Sequence, residues 1–256
     1  MKVVLFCGGQ GMRMREVSEH IPKPMVEIGD RPVMWHVMRY YAALGHKEFI
    51  LCLGYKAQVI KDYFVRHAEY RSTDFVLHGD GSMELLDPDI PDWKITFVDT
   101  GNTSCIGERL WKVRQYVQDD EMFLANYSDN LTDYPLGELV EKVESSGAIA
   151  GFLSVRPPHS FHVTSVADNG VVECIEDTQE SDIWINGGNF VLRPQIFDYM
   201  REGEELVLEP FQRLIQEQRL VSQKYSGFWQ NMDTFKDHQT LNAMLSDGNA
   251  PWQIWL

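Results

Sequence analysis

The 256 residues carry a formal net charge of −15 at pH 7, with 44% hydrophobic and 24% charged residues. This composition is ordinary for a globular chain, and the length suits one large α/β domain or two small ones. The acidic balance argues against nucleic acid or an anionic membrane as the main partner, because both would repel a surface of the same sign. A nucleotide remains compatible with an acidic chain, since a local basic pocket can hold it.

The chain begins with a short apolar run that leads directly into glycines. Residues 3–7 have the length of a buried strand, and three of residues 8–11 are glycine. Glycine lets the backbone approach an anion, so that several N–H groups can face one phosphate. Arg13 and Lys23 lie just beyond and can pair with phosphate oxygens. The pattern indicates a nucleotide site, although a tight turn between a strand and a helix would need the same glycines.

Two common phosphate-binding motifs do not fit this loop. A P-loop has Lys and then Ser or Thr after its last glycine, and a dinucleotide loop has a further glycine three residues on. Here Met12 and Arg13 follow Gly11, and the residue three positions after Gly11 is Met14. The sequence therefore predicts phosphate binding of another kind.

Strands and helices alternate through the first half of the chain. Apolar spacing predicts strands over 3–7, 48–53, 95–99 and 121–126, and helices over 32–44, 57–64 and 107–117. This alternation predicts an α/β fold with a mixed, mainly parallel sheet flanked by helices.

The second half of the chain no longer alternates strand and helix, although no linker or repeat divides the two halves. The pattern predicts strands over 148–155, 161–166, 171–175 and 184–192, helices over 195–200 and 206–217, and an extended piece over 228–232. The Asn169-Gly170 step suits a tight hairpin between two of these strands. We therefore expect one domain over 1–256, with a nucleotide-binding half over 1–135 and an acceptor half over 136–256.

Residues 75–93 do not fit a compact α/β unit. A stretch of this length without helix periodicity is either functional or an interaction arm, and an acidic surface loop is the alternative. Its apolar residues Met83, Leu85, Leu86 and Ile90 are interspersed with acids and would be poorly hidden in a monomer. We predict a small protruding β arm that makes an oligomer contact.

Two aspartates follow predicted strands and suggest a metal site. Asp129 comes after the strand over 121–126, at the sheet edge where ligands gather, and Asp233 comes after the extended piece. Two carboxylates at a phosphate pocket would repel the phosphates unless a hard cation lay between them. Mg²⁺ suits this place because it takes one or two carboxylates together with phosphate oxygens. A helix N-cap or turn role is the alternative for Asp129.

The four cysteines, Cys7, Cys52, Cys105 and Cys174, contain no Cys-x-x-Cys pair. We expect buried thiols in a reducing compartment. The apolar run at the start is too short for a signal peptide, and no stretch approaches the roughly 18 apolar residues of a membrane span. These features predict a cytoplasmic protein.

Several motifs together resemble those of the sugar-1-phosphate nucleotidyltransferases. They lie at residues 8–13, 22–29, 54–56, 98–101, 107–110, 185–192, 227–234 and 250–252, so the resemblance covers essentially the whole chain. Residues 93–101 and 228–234 and the tryptophan-rich end are most similar to the glucose-1-phosphate cytidylyltransferase branch.

The resemblance implies a Rossmann-like nucleotidyltransferase fold and a Mg²⁺-dependent reaction of CTP with a sugar 1-phosphate. The products would be a CDP-sugar and pyrophosphate, formed by in-line attack on the α-phosphorus without a protein nucleophile. By position, the resemblance assigns four sets of residues. Catalysis falls to Arg13, Lys23 and Asp129; nucleotide binding to Gly8, Gly9, Gly11, Met12, Arg13, Lys23 and Arg109; acceptor binding to Glu176, Asp177, Asn186 and Gly187; and Mg²⁺ to Asp129 and Asp233. Symmetric oligomers among the relatives imply a homo-oligomer.

Some positions depart from the family pattern. The family usually has threonine at Met12, glycine at Ser128 and Asn130, and a phosphate-gripping lysine at Asp177. An acid in place of that lysine turns an attraction of about 4 kcal/mol, at ~4 Å and an effective dielectric constant of ~20, into a repulsion. Three interpretations stay open: a cytidylyltransferase for sugar 1-phosphates, the same fold with an atypical phosphate or phosphonate acceptor, and a catalytically silent nucleotide-binding subunit.

Overall fold

The computed structural model describes residues 1–9, 21–66, 74–85, 92–158, 162–178 and 181–256. The predicted site residues Gly11, Met12 and Arg13 lie outside the described residues.

Within these ranges the strands are β1 Lys2–Phe6, β2 Glu27–Ile28, β3 Arg31–Pro32, β4 Glu48–Leu53, β5 Phe75–Leu77, β6 Met83–Leu85, β7 Lys94–Asp99, β8 Phe123–Asn126, β9 Asn130–Thr132, β10 Ala150–Val155, β11 His162–Val166, β12 Val172–Asp177, β13 Ile185–Leu192, β14 Leu220–Tyr225 and β15 Trp229–Asn231. The α-helices are α1 Val33–Ala43, α2 Ala57–Arg66, α3 Ile106–Lys112, α4 Gly137–Ser146, α5 Glu209–Gln216 and α6 Phe235–Ser246. Short 3₁₀ turns cover Lys23–Met25, Arg114–Tyr116 and Pro194–Tyr199.

A seven-stranded sheet forms the centre, in the order β14-β10-β13-β8-β1-β4-β7. The pairs β1·β4, β1·β8, β4·β7 and β10·β14 are parallel, whereas β13 runs antiparallel to both of its neighbours. This confirms the predicted mixed, mainly parallel sheet. The carboxyl ends of the parallel strands, and the beginning of β13, therefore meet at one edge.

Both faces of this sheet are covered. Along β1, Val3 and Leu5 join an apolar cluster with α1, α2, α4 and α6, while Val4 and Phe6 join a second cluster with α3 and α5. Successive residues of a strand point to opposite faces, so a strand buried on both sides reads as a continuous apolar run. This burial explains the sequence of β1 and fixes the start of the glycine loop at the sheet edge.

Several sequence predictions need correction. The helix expected over 107–117 ends at Lys112, and the helix expected over 195–200 is the 3₁₀ turn Pro194–Tyr199. Cys7 and Cys52 are buried as expected, but Cys174 is exposed on β12. The hairpin signal at Asn169-Gly170 is confirmed by the antiparallel β11–β12 pair.

The predicted arm begins with the antiparallel hairpin β5–β6, while residues 86–91 lie outside the described residues. Among the helices that the structure describes, none is long and apolar enough to cross a membrane.

Candidate active site

A short antiparallel ladder brings the two predicted metal ligands together. Strands β9 and β15 pair with Asn130 opposite Asn231, and the Met232 N–H donates to the Asp129 carbonyl at 2.9 Å. Asp129 lies just before β9 and Asp233 just after β15. Residues 104 positions apart in sequence thus share one end of the ladder.

Lys23 lies between the two carboxylates. Its Nζ donates to Asp129 Oδ2 at 2.5 Å and also to Asp233 Oδ1. The lysine is carried by the 3₁₀ turn Lys23–Met25, in which Pro24 fixes the backbone and the Val26 N–H closes the turn on the Lys23 carbonyl at 3.1 Å. The structure thereby joins three of the predicted site residues into one cluster.

Burial and charge act in opposite directions in this cluster. Burial lowers the pKa of Lys23, but the Asp129 and Asp233 carboxylates outweigh it and raise that pKa above its ordinary value. Burial raises the pKa of Asp129, and the Lys23 ammonium only partly offsets the rise. The cluster is therefore a partly dehydrated place where a cation is strongly favoured.

The beginning of α6 fixes Asp233. Thr234 is the N-cap, and the Asp237 carboxylate accepts from the Asp233 N–H at 3.0 Å and from the Thr234 N–H at 2.8 Å. The Asn231 amide donates to Asp233 Oδ2 at 2.6 Å. One carboxylate oxygen of Asp233 is thus held by the protein, and the other faces Lys23.

The donor set fits Mg²⁺ that binds together with phosphate. Two aspartate oxygens converge on one cation position, and Mg²⁺ usually takes one or two carboxylates, phosphate oxygens and water. Within the described residues, no group of three or more His, Cys, Asp or Glu side chains could form a complete protein cage. The remaining ligands would have to come from phosphate and water.

The glycine loop is supported from below by Arg109. The Arg109 guanidinium is 3% exposed and donates to the Gly8 carbonyl at 3.0 Å, to Thr100 Oγ1 at 2.7 Å and to the Leu53 carbonyl at 3.3 Å. A Cβ atom on Gly8 would lie 1.9 Å from Arg109 Nη1, so any larger residue would displace the guanidinium from its hydrogen bonds. These contacts show that Arg109 fixes the start of the loop. The triphosphate contact implied by the resemblance stays a prediction.

Gly9 follows at the surface of the described part of the loop. It is exposed, and a Cβ atom there would meet no described atom within 4 Å. Contact with Arg109 therefore favours glycine at position 8, whereas Gly9 stays a predicted backbone contact for the nucleotide.

Asn186 and Gly187 lie at the beginning of β13, beside the Asp129 turn. The Asn186 amide donates to the Tyr127 hydroxyl at 3.1 Å, and the Trp229 indole N–H donates to the Gly187 carbonyl at 2.8 Å. These bonds join the predicted acceptor residues to the turn that carries Asp129 and to β15.

Glu176 and Asp177 end β12, in a two-stranded sheet separate from the central one. Asp177 is opposite His162 in the ladder, and its carbonyl accepts from the Ser181 N–H at 3.0 Å. Their contact with an acceptor stays a prediction.

Sequence reasoning missed a set of buried polar residues beneath Asp129. They are Tyr41, Asn126, Ser128 and Asn189, each at most 1% exposed. The only available signal was the polar run that follows the apolar strand β8, because nothing in a single sequence shows that an asparagine is buried.

Comparison with known proteins shows the family of this chain. The family model described as nucleotidyl transferase matches residues 2–247. The chain is 37% identical over 257 residues to the glucose-1-phosphate cytidylyltransferase of Salmonella typhimurium, and 36% identical over 259 residues to the probable glucose-1-phosphate cytidylyltransferase of Bacillus subtilis. Both alignments cover 100% of each chain. The chain belongs to the nucleotidyl transferase family.

Solved structures support the same fold. A putative glucose-1-phosphate thymidylyltransferase from Bacillus anthracis, in complex with a sucrose, superposes with a TM-score of 0.69 at 17% identity, covering 96% of each chain. A UTP-bound UGPase from Acinetobacter baumannii gives a TM-score of 0.68 at 18% identity, covering 95% of this chain and 92% of the other. The predicted nucleotidyltransferase fold is confirmed.

Proposed function

We propose that this protein joins CTP and a sugar 1-phosphate, with glucose 1-phosphate as the first choice, to give a CDP-sugar and pyrophosphate. The observation that carries the proposal is the convergence of Lys23, Asp129 and Asp233 at the sheet edge that also holds the glycine loop. Full-length identity of 37% to a protein named glucose-1-phosphate cytidylyltransferase supports the choice of substrates.

The chemistry needs positioning and charge more than it needs a nucleophile from the protein. An oxygen of the sugar phosphate forms a bond to the α-phosphorus of CTP, and the bond from that phosphorus to the bridging oxygen of the β-phosphate breaks. Asp129 and Asp233 would hold Mg²⁺, which when bound neutralises charge on the phosphates. Lys23 would then pair with phosphate oxygens, and the backbone N–H groups of the glycine loop would orient the nucleotide.

A second candidate is the same reaction with an atypical phosphate or phosphonate acceptor. The observation that favours it is Asp177 at the end of β12, where the family resemblance leads one to expect a lysine. A phosphate there would meet repulsion unless the acceptor carried a cationic group or another residue supplied the charge.

Pyrophosphate release tests both candidates. Each of CTP, UTP, GTP, ATP and dTTP is mixed with Mg²⁺ and with glucose 1-phosphate, other sugar 1-phosphates, or non-sugar phosphates and phosphonates. We expect CTP with glucose 1-phosphate to give the highest kcat/KM, EDTA to stop the reaction, and Asp129→Asn to lower kcat by at least about a hundredfold. A higher kcat/KM with another nucleotide than with CTP, or no turnover with any acceptor, would overturn the main proposal. Turnover of CTP with a non-sugar acceptor alone would establish the second candidate.

We also propose a cytoplasmic homo-oligomer that uses the β5–β6 arm. Val76 and Leu77 of this hairpin are 41% and 65% exposed, which favours an arm that packs against another surface. Replacing residues 75–85 by a short glycine-serine linker should lower the mass measured by light scattering. An unchanged mass would remove the arm from the interface.

A further inference from the structure

The residue before the metal-site aspartate has an unusual backbone. Ser128 has φ of 67°, in the left-handed region that residues with a Cβ atom rarely adopt. Glycine enters this region without strain, and glycine is what the family resemblance leads one to expect at this position. Neighbouring groups must therefore stabilise the positive φ of Ser128, because backbone strain persists only where the surrounding structure compensates for it.

Asn126 supplies the missing constraint. Its Oδ1 accepts a hydrogen bond from the Ser128 N–H at 2.7 Å, which closes an Asx-type turn around Tyr127. The Ser128 hydroxyl in turn donates to the Phe6 carbonyl at 2.9 Å, at the end of β1. The turn that presents Asp129 is thus fixed to the strand that leads into the glycine loop.

The Asn126 carboxamide is itself fixed by a buried network. Its Nδ2 lies 3.3 Å from the Tyr41 hydroxyl and 3.3 Å from Asn130 Oδ1. The Asn189 amide, opposite Asn126 in the β8–β13 ladder, donates to the same Tyr41 hydroxyl at 3.2 Å. Burying amide groups is costly unless they are paired, so a network of this kind beneath a catalytic turn calls for a reason.

We propose that Asn126 is a positioning residue, which holds Ser128 in the left-handed conformation and thereby directs Asp129 toward Lys23 and the metal. Hydrogen bonds from side chains thus stabilise a positive φ that glycine would adopt without them, because glycine has no Cβ atom. Asn130, at the second position where glycine is expected, joins the same network. The part concerning the metal rests on the proposed function; the part concerning the backbone does not.

A double-mutant cycle between Asn126 and Ser128 tests this assignment. Asn126→Ala should weaken Mn²⁺ binding, measured calorimetrically with a non-hydrolysable CTP analogue, by about tenfold. Adding Ser128→Gly to that variant should restore the affinity to within about threefold of the native value, because glycine adopts the required φ unaided. Ser128→Gly alone should change the affinity by less than about threefold.

Asn189→Ala is the matched control. It removes a buried amide from Tyr41 at the same depth but leaves the Asn126–Ser128 bond intact. We expect it to lower the urea midpoint while weakening Mn²⁺ binding by less than about threefold, and we expect no rescue by Ser128→Gly. Native affinity in Asn126→Ala, a loss that Ser128→Gly does not repair, or a double variant that fails to fold would each overturn the proposal.

The urea midpoint separates this inference from the proposed function. Measured without metal or nucleotide, Ser128→Gly should recover at least half of the midpoint lost in Asn126→Ala. If the urea midpoint recovers in the double variant but the protein binds no Mn²⁺, the backbone role of Asn126 is supported and the metal site is not. Additive losses would overturn the backbone role whatever the activity.

Discussion

Replacing Lys23 by methionine should affect metal binding and turnover in opposite directions. In the structure the Lys23 ammonium lies between Asp129 and Asp233, where the proposed function requires Mg²⁺. Methionine keeps most of the side-chain volume but removes the charge. Without nucleotide, a divalent cation should then bind more tightly, because it no longer has to displace an ammonium or share the site with it.

The magnitude follows from the contacts and their exposure. One ammonium–carboxylate interaction at ~4 Å is about 4 kcal/mol at an effective dielectric constant of ~20. The side chains of Lys23, Asp129 and Asp233 are 12%, 22% and 28% exposed, so solvent screens part of this attraction. After this screening, we expect removal of the ammonium to favour metal binding by about 1.4 to 2.8 kcal/mol, which corresponds to a tenfold to a hundredfold higher affinity. Turnover should fall at least about tenfold, because the phosphates lose a cation.

The Mn²⁺ affinity is measured by titrating the nucleotide-free protein, with calorimetry or electron paramagnetic resonance as the readout. Lys112→Met is the matched control, because Lys112 Nζ donates to the Thr100 carbonyl at 2.8 Å and to Ser104 Oγ at 2.9 Å, both neutral oxygens. Its metal affinity should stay native. Unchanged or weaker Mn²⁺ binding in Lys23→Met would show that the ammonium does not occupy the metal position.

Three further predictions concern other parts of the molecule. Gly8→Ala should destabilise the protein by about 1–3 kcal/mol in thermal unfolding, because the new methyl group would meet Arg109, while Gly9→Ala should be close to neutral. Asp177→Lys should lower the KM for glucose 1-phosphate if Asp177 faces the acceptor, and unchanged steady-state kinetics would mark it as a bystander. Burial lowers the pKa of His36 from 6.5 to about 4, so the unfolded chain binds a proton that the folded one does not as the pH falls from about 6.5 to 4. About 3 kcal/mol of stability should be lost over this range, and His36→Gln should flatten the slope of unfolding free energy against pH.

The sequence predicted the elements whose pattern is local and strong. Strand β4 is an apolar run buried on both faces, and its predicted bounds, 48–53, match the observed Glu48–Leu53. Strand β14 was missed because Leu220–Tyr225 contains as many polar as apolar residues and is only half buried. Helix α6 was missed although Thr234 and Asp237 form a capping box, a signal that the sequence did contain.

The candidate site divides in the same way. Asp129 and Asp233 could be named from strand ends and motif resemblance, but the ladder that joins them consists of two strands of three residues, too short for any periodicity. The buried position of Arg109 could not be foreseen, because arginine is usually exposed and only tertiary contacts pair it with the Gly8 carbonyl. The conformation of Ser128 depends on Asn126, two residues earlier, and on the Phe6 carbonyl of β1, and a single sequence shows neither hydrogen bond.

The reversed direction of β13 has a consequence for how such an enzyme could change its acceptor. In the proposed function the nucleotide lies against strand ends, and each of those strands is followed by a connection that must return across the sheet. Asn186 instead comes from a strand beginning, with Ile185 opposite Val155 at the end of β10. The register of β13 against β8 and β10 is fixed by its buried later half and not by the residues just before the strand. Replacing residues 176–184 by the corresponding segment of a relative should transfer that relative's acceptor preference without changing the preferred nucleotide.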